Sequence, residues 1–108
     1  MITISIRRDE RQRIVSFRVT GHARYDDPGK DIICAGVSAV TVGAVNAVEH
    51  MTGIEPVSDM KSGFLSAALP QEGVESDRAQ LLLEGMIVAL DTIVQEYPKH
   101  VKIKDKSV

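Results

Sequence analysis

The sequence predicts an α/β protein of the α+β type, a single mixed or antiparallel sheet packed with two helices in the order β-β-α-β-β-α-β. Two observations predict it. Three segments alternate apolar and polar residues with the period of a half-buried strand: Ile2, Ile4 and Ile6, then Val15, Phe17 and Val19, then Val101 and Ile103. Two longer segments, one uncharged and one with apolar residues at helical spacing, separate and follow them. One sheet covered by helices buries both kinds of apolar face.

Each element has local signals. Asp9 to Arg13 is a polar turn, so the first two strands pair as an antiparallel hairpin. Gly21 to Lys30 reads as a loop, with strong turn chemistry in Asp26-Asp27-Pro28-Gly29. Asp31 is a good N-cap for a helix running to about Met51, and Gly53 is its stop signal. Pro56 to Met60 suggests a short strand, Lys61-Ser62-Gly63 a turn, and Phe64 to Leu69 the next strand. Ser76 caps a second helix, in which Ala79, Leu83, Met86, Leu90 and Ile93 share one face. Pro98 ends it, because proline cannot continue a helix.

The 108 residues fit one domain, 1–108, with no linker or low-complexity tract. Aromatic content is 4% and Trp is absent, so Ile, Val, Leu and Ala must build the core. The net charge of -2 demands neither nucleic acid nor an anionic membrane as partner. Lys99, Lys102, Lys104 and Lys106 cluster near the C-terminus and read as a solvated strand face with a frayed end. A lone cysteine forms no internal disulfide, and the first residues lack the order of a secretory signal. Both point to the cytoplasm. Ile32 to Val48 carries no charge but is rich in Ala, Gly, Ser and Thr, and is shorter than the roughly 20 strongly apolar residues of a membrane span. A helix buried in the protein or at a homodimer interface fits it better, since its small residues leave more apolar surface than one sheet covers.

The residue with the most chemistry is Cys34. With Asp31 as N-cap, Cys34 is the third helical residue, where the positive end of the helix dipole favours thiolate. Backbone N–H groups at the same terminus are candidates to stabilise an oxyanion. Asp31 works partly against the thiolate, so its task is to cap the helix through the Cys34 N–H. The competing reading of Cys34 is a small buried apolar residue.

Three histidines compete to be its base. His50 lies on the same helix roughly 24 Å away, too far within one chain. The position of His100, at the start of the last strand, is open. His22 ends the second strand, and a loop brings a strand end and a helix start face to face, so His22 is the best base on geometry. Asp26, Asp27 and Asp31 are candidates to orient it, and none stands out. Ser38, one turn after Cys34, faces the same way, either toward a substrate or bonded to its own backbone. Gly21 and Gly29 make the loop a candidate lid, and Tyr25 a candidate peptide contact. One Cys and three scattered His lack metal-ligand spacing, and there is no phosphate-binding glycine motif, so neither metal nor cofactor is expected.

Gly21-His22-Ala23, Gly29 and Asp31-Ile32-Ile33-Cys34-Ala35-Gly36-Val37-Ser38 together resemble the signature of the ribosomal-processing cysteine protease family called Prp. The resemblance continues through Gly43-Ala44-Val45-Asn46-Ala47-Val48 and Leu83-Glu84-Gly85-Met86-Ile87. It implies a homodimeric α/β protein with a Cys–His dyad. It also implies a substrate, the N-terminal extension of large-subunit ribosomal protein twenty-seven. By the same resemblance His22 and Cys34 are catalytic, Asp31 and Ser38 flank the nucleophile, and Gly21 begins a mobile loop. The alternative is a non-catalytic ribosome-associated assembly module docking through its sheet or its lysine-rich end; such a module has no need of this framing of His and Cys.

Overall fold

The computed structural model describes residues 1–27 and 30–107. Its elements run β1 (Ile2–Arg8), β2 (Ile14–Thr20), α1 (Ile32–Thr52), β3 (Val57–Lys61), β4 (Phe64–Ala68), α2 (Gln71–Val74), α3 (Asp77–Glu96) and β5 (Val101–Ser107). The predicted order holds, with one addition. The single turn of α2 follows Pro70, whose φ of -64° is already helical, and it is too short to show a periodicity in sequence. Pro28 and Gly29, half of the expected turn in the loop, lie outside the described residues.

The strands form one sheet in the order β3-β4-β2-β1-β5. Only the β1–β5 pairing is parallel, because the chain returns to β1 by way of α3. The register sets Ile4 beside Val19 on one side and Ile103 on the other. Ile2, Ile4, Ile6, Phe17, Leu65, Ala67 and Val101 therefore face one way, and all are buried. Both long helices cover that face. α1 contributes Ile33, Val37, Thr41, Val45 and Val48, and α3 contributes Ala79, Leu83, Met86 and Leu90. Fully burying each large aliphatic side chain is worth about 1.5–3 kcal/mol, so this layer drives the fold.

The ends of the elements close as their sequences predict. The Asp31 carboxylate accepts the N–H groups of Ile33 and Cys34, and the Ser76 hydroxyl accepts that of Ala79. Gly53 takes a left-handed φ of 75° and donates to the Glu49 carbonyl. At the start of β2 the Gln80 amide bonds both the N–H and the carbonyl of Ile14, at 2.7 and 2.8 Å. It replaces strand pairing where the β1–β2 register shifts at Arg7/Arg8. Arg8 ties three elements together by bonding Glu84 of α3 and Asp105 of β5. The remaining surface of α1 is lined by small residues and stays uncovered, with Ala35, Ala39 and Gly43 exposed.

Candidate active site

Cys34 and His22 line one cleft of about 270 Å³, together with Gly21, Val37, Ser38 and Thr41 and with the β3–β4 turn from Met60 to Phe64. Its floor is the first turns of α1, and its walls are the end of β2 and that turn. The helix begins where it does because Asp31 caps it, which fixes the Cys34 side chain at the mouth. The thiol is partly buried.

The Asp31 carboxylate has further partners. One oxygen accepts the N–H of Ile33 at 3.0 Å and of Cys34 at 3.1 Å. The other accepts the N–H of Tyr25 at 2.9 Å and of Asp26 at 3.2 Å. One buried side chain thus closes the helix and folds the loop back onto it. Burial opposes its ionisation, but the four N–H bonds outweigh burial and hold the carboxyl below its ordinary value of 3.8. The carboxylate is fully occupied by backbone, so it does not orient His22.

Asp31 also narrows one expectation. Three N–H groups of the first turn are already engaged: Ile33 and Cys34 donate to the carboxylate, and Ala35 donates to the Asp31 carbonyl at 3.1 Å. The donor nearest the thiol comes from the loop instead, where the Ala23 N–H points at the Cys34 sulfur from 3.4 Å.

Backbone geometry places His22. Gly21 adopts φ +89°, and a Cβ there would sit 2.3 Å from the Met1 carbonyl oxygen, so only glycine fits. Its N–H donates to the Gly63 carbonyl at 2.9 Å, which joins the end of β2 to the β3–β4 turn. The exposed His22 imidazole then lies over Gly63, where a Cβ would come within 2.7 Å of Nε2. Among the described residues the ring hydrogen-bonds neither the Cys34 sulfur nor a carboxylate. Asp26 and Asp27, the other candidates to orient it, are exposed, and Asp26 accepts the N–H of Asp27.

The other histidines lie outside the cleft. His50 is exposed in the last turn of α1. His100 bonds the Ala23 carbonyl through Nδ1 at 2.9 Å. Tyr25 packs edge-on against His100 and Tyr97, with centroids 5.4 and 5.7 Å apart, so in this conformation it faces the end of α3. Ser38 is exposed in the cleft, and its hydroxyl makes no hydrogen bond among the described residues. Sequence reasoning missed Ala23 and Gly63. The Gly-His-Ala motif and the turn at Gly63 mark their positions, but not these contacts, since each acts on a side chain brought to it by the fold.

Asp31→Ala removes the cap and both loop bonds. Because the folded carboxyl titrates below 3.8, its stabilisation is complete above that pH and disappears as pH falls through the folded value. The variant is expected to melt below wild type at pH 7, with the gap closing as the pH drops below that point. Melting curves by circular dichroism check this, and a gap of constant size down to pH 2 contradicts it.

A family model described as cysteine protease Prp matches residues 1–102. The ribosomal processing cysteine protease Prp of Bacillus subtilis (strain 168) is 42% identical over 107 residues, covering 95% of this chain and 96% of that protein. A crystal structure of the Staphylococcus aureus ribosomal processing protease Prp, in complex with a covalently linked product peptide, superposes with a TM-score of 0.92 at 33% identity. It covers 98% of this chain and 100% of its own. A second structure of that protease, with a substrate peptide, gives a TM-score of 0.87 at 32% identity over the same shares. With the fold matched from end to end, the chain belongs to the Prp family of cysteine proteases.

Proposed function

We propose that this protease removes the N-terminal extension of large-subunit ribosomal protein twenty-seven, with Cys34 as nucleophile and His22 as its base. The observation that carries the dyad is the shared cleft: the only cysteine of the chain opens into it beside an imidazole, and the residue after that imidazole donates its N–H to the sulfur. The ribosomal precursor follows from kinship with proteases named for ribosomal processing, one of which has been crystallised with substrate and product peptides.

The chemistry is acyl transfer. His22 takes the thiol proton, and the thiolate attacks the scissile carbonyl to form an S–C bond. The imidazolium returns the proton to the leaving amine as the C–N bond breaks. Water, deprotonated by the same imidazole, hydrolyses the thioester and frees the sulfur. The Ala23 N–H, released as the sulfur's lone pair moves into the new S–C bond during attack, is the backbone donor best placed for the developing oxyanion. Before attack the imidazole must leave its seat over Gly63 and approach the sulfur. Such tightening on substrate binding is ordinary for catalytic hydrogen bonds. Rotation of the exposed His22 side chain, on a loop backbone held at Gly21, Ala23, Tyr25 and Asp26, supplies that movement, while Ser38 contacts the peptide. The lone thiol suits a reducing cytoplasm, where ribosomal proteins are made.

The protein works as a homodimer. α1 is long and apolar enough, by length and composition, to span a membrane, but its Ile33, Val37 and Val45 pack into the core. Beside its small-residue outer face, the neighbouring helix α3 also exposes apolar Leu81 and Val88, at 75% and 69% exposure. An apolar surface of this kind fits a second copy of the same helix layer.

Cys34→Ala and His22→Ala are each expected to reduce cleavage of the extended ribosomal protein by at least about a thousandfold, as for the loss of a nucleophile or its base elsewhere. Mass spectrometry of the products checks this against wild type, and cleavage at the same site by Cys34→Ala defeats the proposal. For the dimer, sedimentation at micromolar concentration should give twice the chain mass for wild type and the chain mass for Val88→Asp; a monomeric wild type refutes it.

A further inference from the structure

Among the described residues nothing covers the sheet face opposite the helices, and the strand register gathers cations onto it. Arg7 is paired with Lys106, and Ser5 with both Lys104 and Arg18. Lys102 pairs with Thr3 one step further along. All five basic side chains are exposed. Among the described residues the ion pairs belong to Arg8 and Arg13, and none engages these five. The carboxylate that shares the face, Asp59, lies on β3 at the far edge. The chain's net charge is -2, so its charge is segregated rather than spread. Net charge argued against a polyanionic partner; the register supplies what that sum conceals.

We propose that this open face binds a phosphodiester chain through Arg7, Arg18, Lys102, Lys104 and Lys106, separately from the cleft. Three features select that ligand. Alternate residues of a strand stand about 6.6 Å apart and neighbouring strands about 4.8 Å apart, so the cations form a ladder suited to a repeating charge. Between them lie Thr3, Ser5, Ser16 and Thr20, short hydroxyl side chains of the kind that join basic residues at phosphate and sugar oxygens. Arg7, Arg18 and Lys106 also border a groove of about 390 Å³ along the face. Placing Arg7 directly opposite Lys106 costs the isolated fold stability, and a bound anion relieves that repulsion. The apolar side chains of this face, Val57, Phe64 and Ala68, lie on β3 and β4, away from the cations of β1 and β5. Its aromatic residue, Phe64, is capped by the Lys61 ammonium 5.4 Å from the ring centroid, so bases gain no stacking platform there. Binding is therefore sequence-independent and electrostatic.

Anisotropy of a fluorescein-labelled oligouridylate of about twenty nucleotides, titrated with the full chain, tests this, with oligothymidylate of equal length as the second arm. With roughly three phosphates neutralised, affinity is expected to fall roughly 20-fold between about 50 and 200 mM salt. Equal affinity in the two arms identifies the phosphate chain itself as the ligand, and tighter binding of oligouridylate identifies RNA; both support the proposal. The double substitution Arg18→Ser with Lys104→Ser, and separately Lys106→Ser, should weaken binding several-fold while peptide cleavage stays at the wild-type rate, which also shows that the variants are folded. Saturable binding absent at 50 mM salt, affinity unaltered in both variants, or binding to vesicles of equal phosphatidylcholine and phosphatidylserine without binding to either oligonucleotide would overturn it. None of these results depends on which protein the protease cuts.

Discussion

The site rests on the bonds of one carboxylate. Asp31 accepts two N–H groups from the start of α1 and two from the loop that follows β2. The first pair sets where the helix begins, and so where the Cys34 sulfur sits. The second pair bends the loop back, so that the residues after His22 pass over that sulfur. Without it the thiol loses its fixed place and the loop after His22 its anchor. The same occupancy leaves the Ile33 and Cys34 N–H groups of the helix N-terminus, beside the cysteine, already bonded.

Around this anchor the sheet brings together parts far apart in sequence. Gly21 joins β2 to the β3–β4 turn, and Gly63 of that turn seats the imidazole. His100, just before β5, holds the carbonyl of Ala23, whose N–H faces the thiol. The loop is thus pinned at Gly21, Ala23, Tyr25 and Asp26, while His22 itself projects into solvent. A ring free to turn beside a backbone that is held is what a residue needs if it must both take and return a proton.

Much of this was legible in the sequence, for identifiable reasons. Ile2, Ile4 and Ile6 mark β1 because one sheet face is buried and the other wet, and Asp31 and Ser76 mark helix starts because their side chains replace missing backbone partners. The parallel pairing of β5 with β1 was not legible, since Val101 and Ile103 would alternate equally well beside any neighbour. The single turn of α2 lacked the length to show a period. Within the cleft, the joint placement of His22 and Cys34 followed from a strand end and a helix start joined by a loop. The second pair of bonds to Asp31, the seat on Gly63 and the N–H of Ala23 did not follow, because each is a tertiary contact with no local pattern. The cations of the open sheet face were visible as a lysine run, but Arg7 and Arg18 joined them only through strand register.

The central claim is that the imidazole leaves Gly63 for the side chain at position 34 once peptide occupies the cleft. A crystal structure of the Cys34→Ser variant with an uncleaved peptide measures this directly. The account predicts a His22 ring nitrogen about 2.6–3.2 Å from the serine oxygen, with the scissile carbonyl beside the Ala23 N–H. A bound peptide with the ring still lying over Gly63, out of reach of that oxygen, would contradict it.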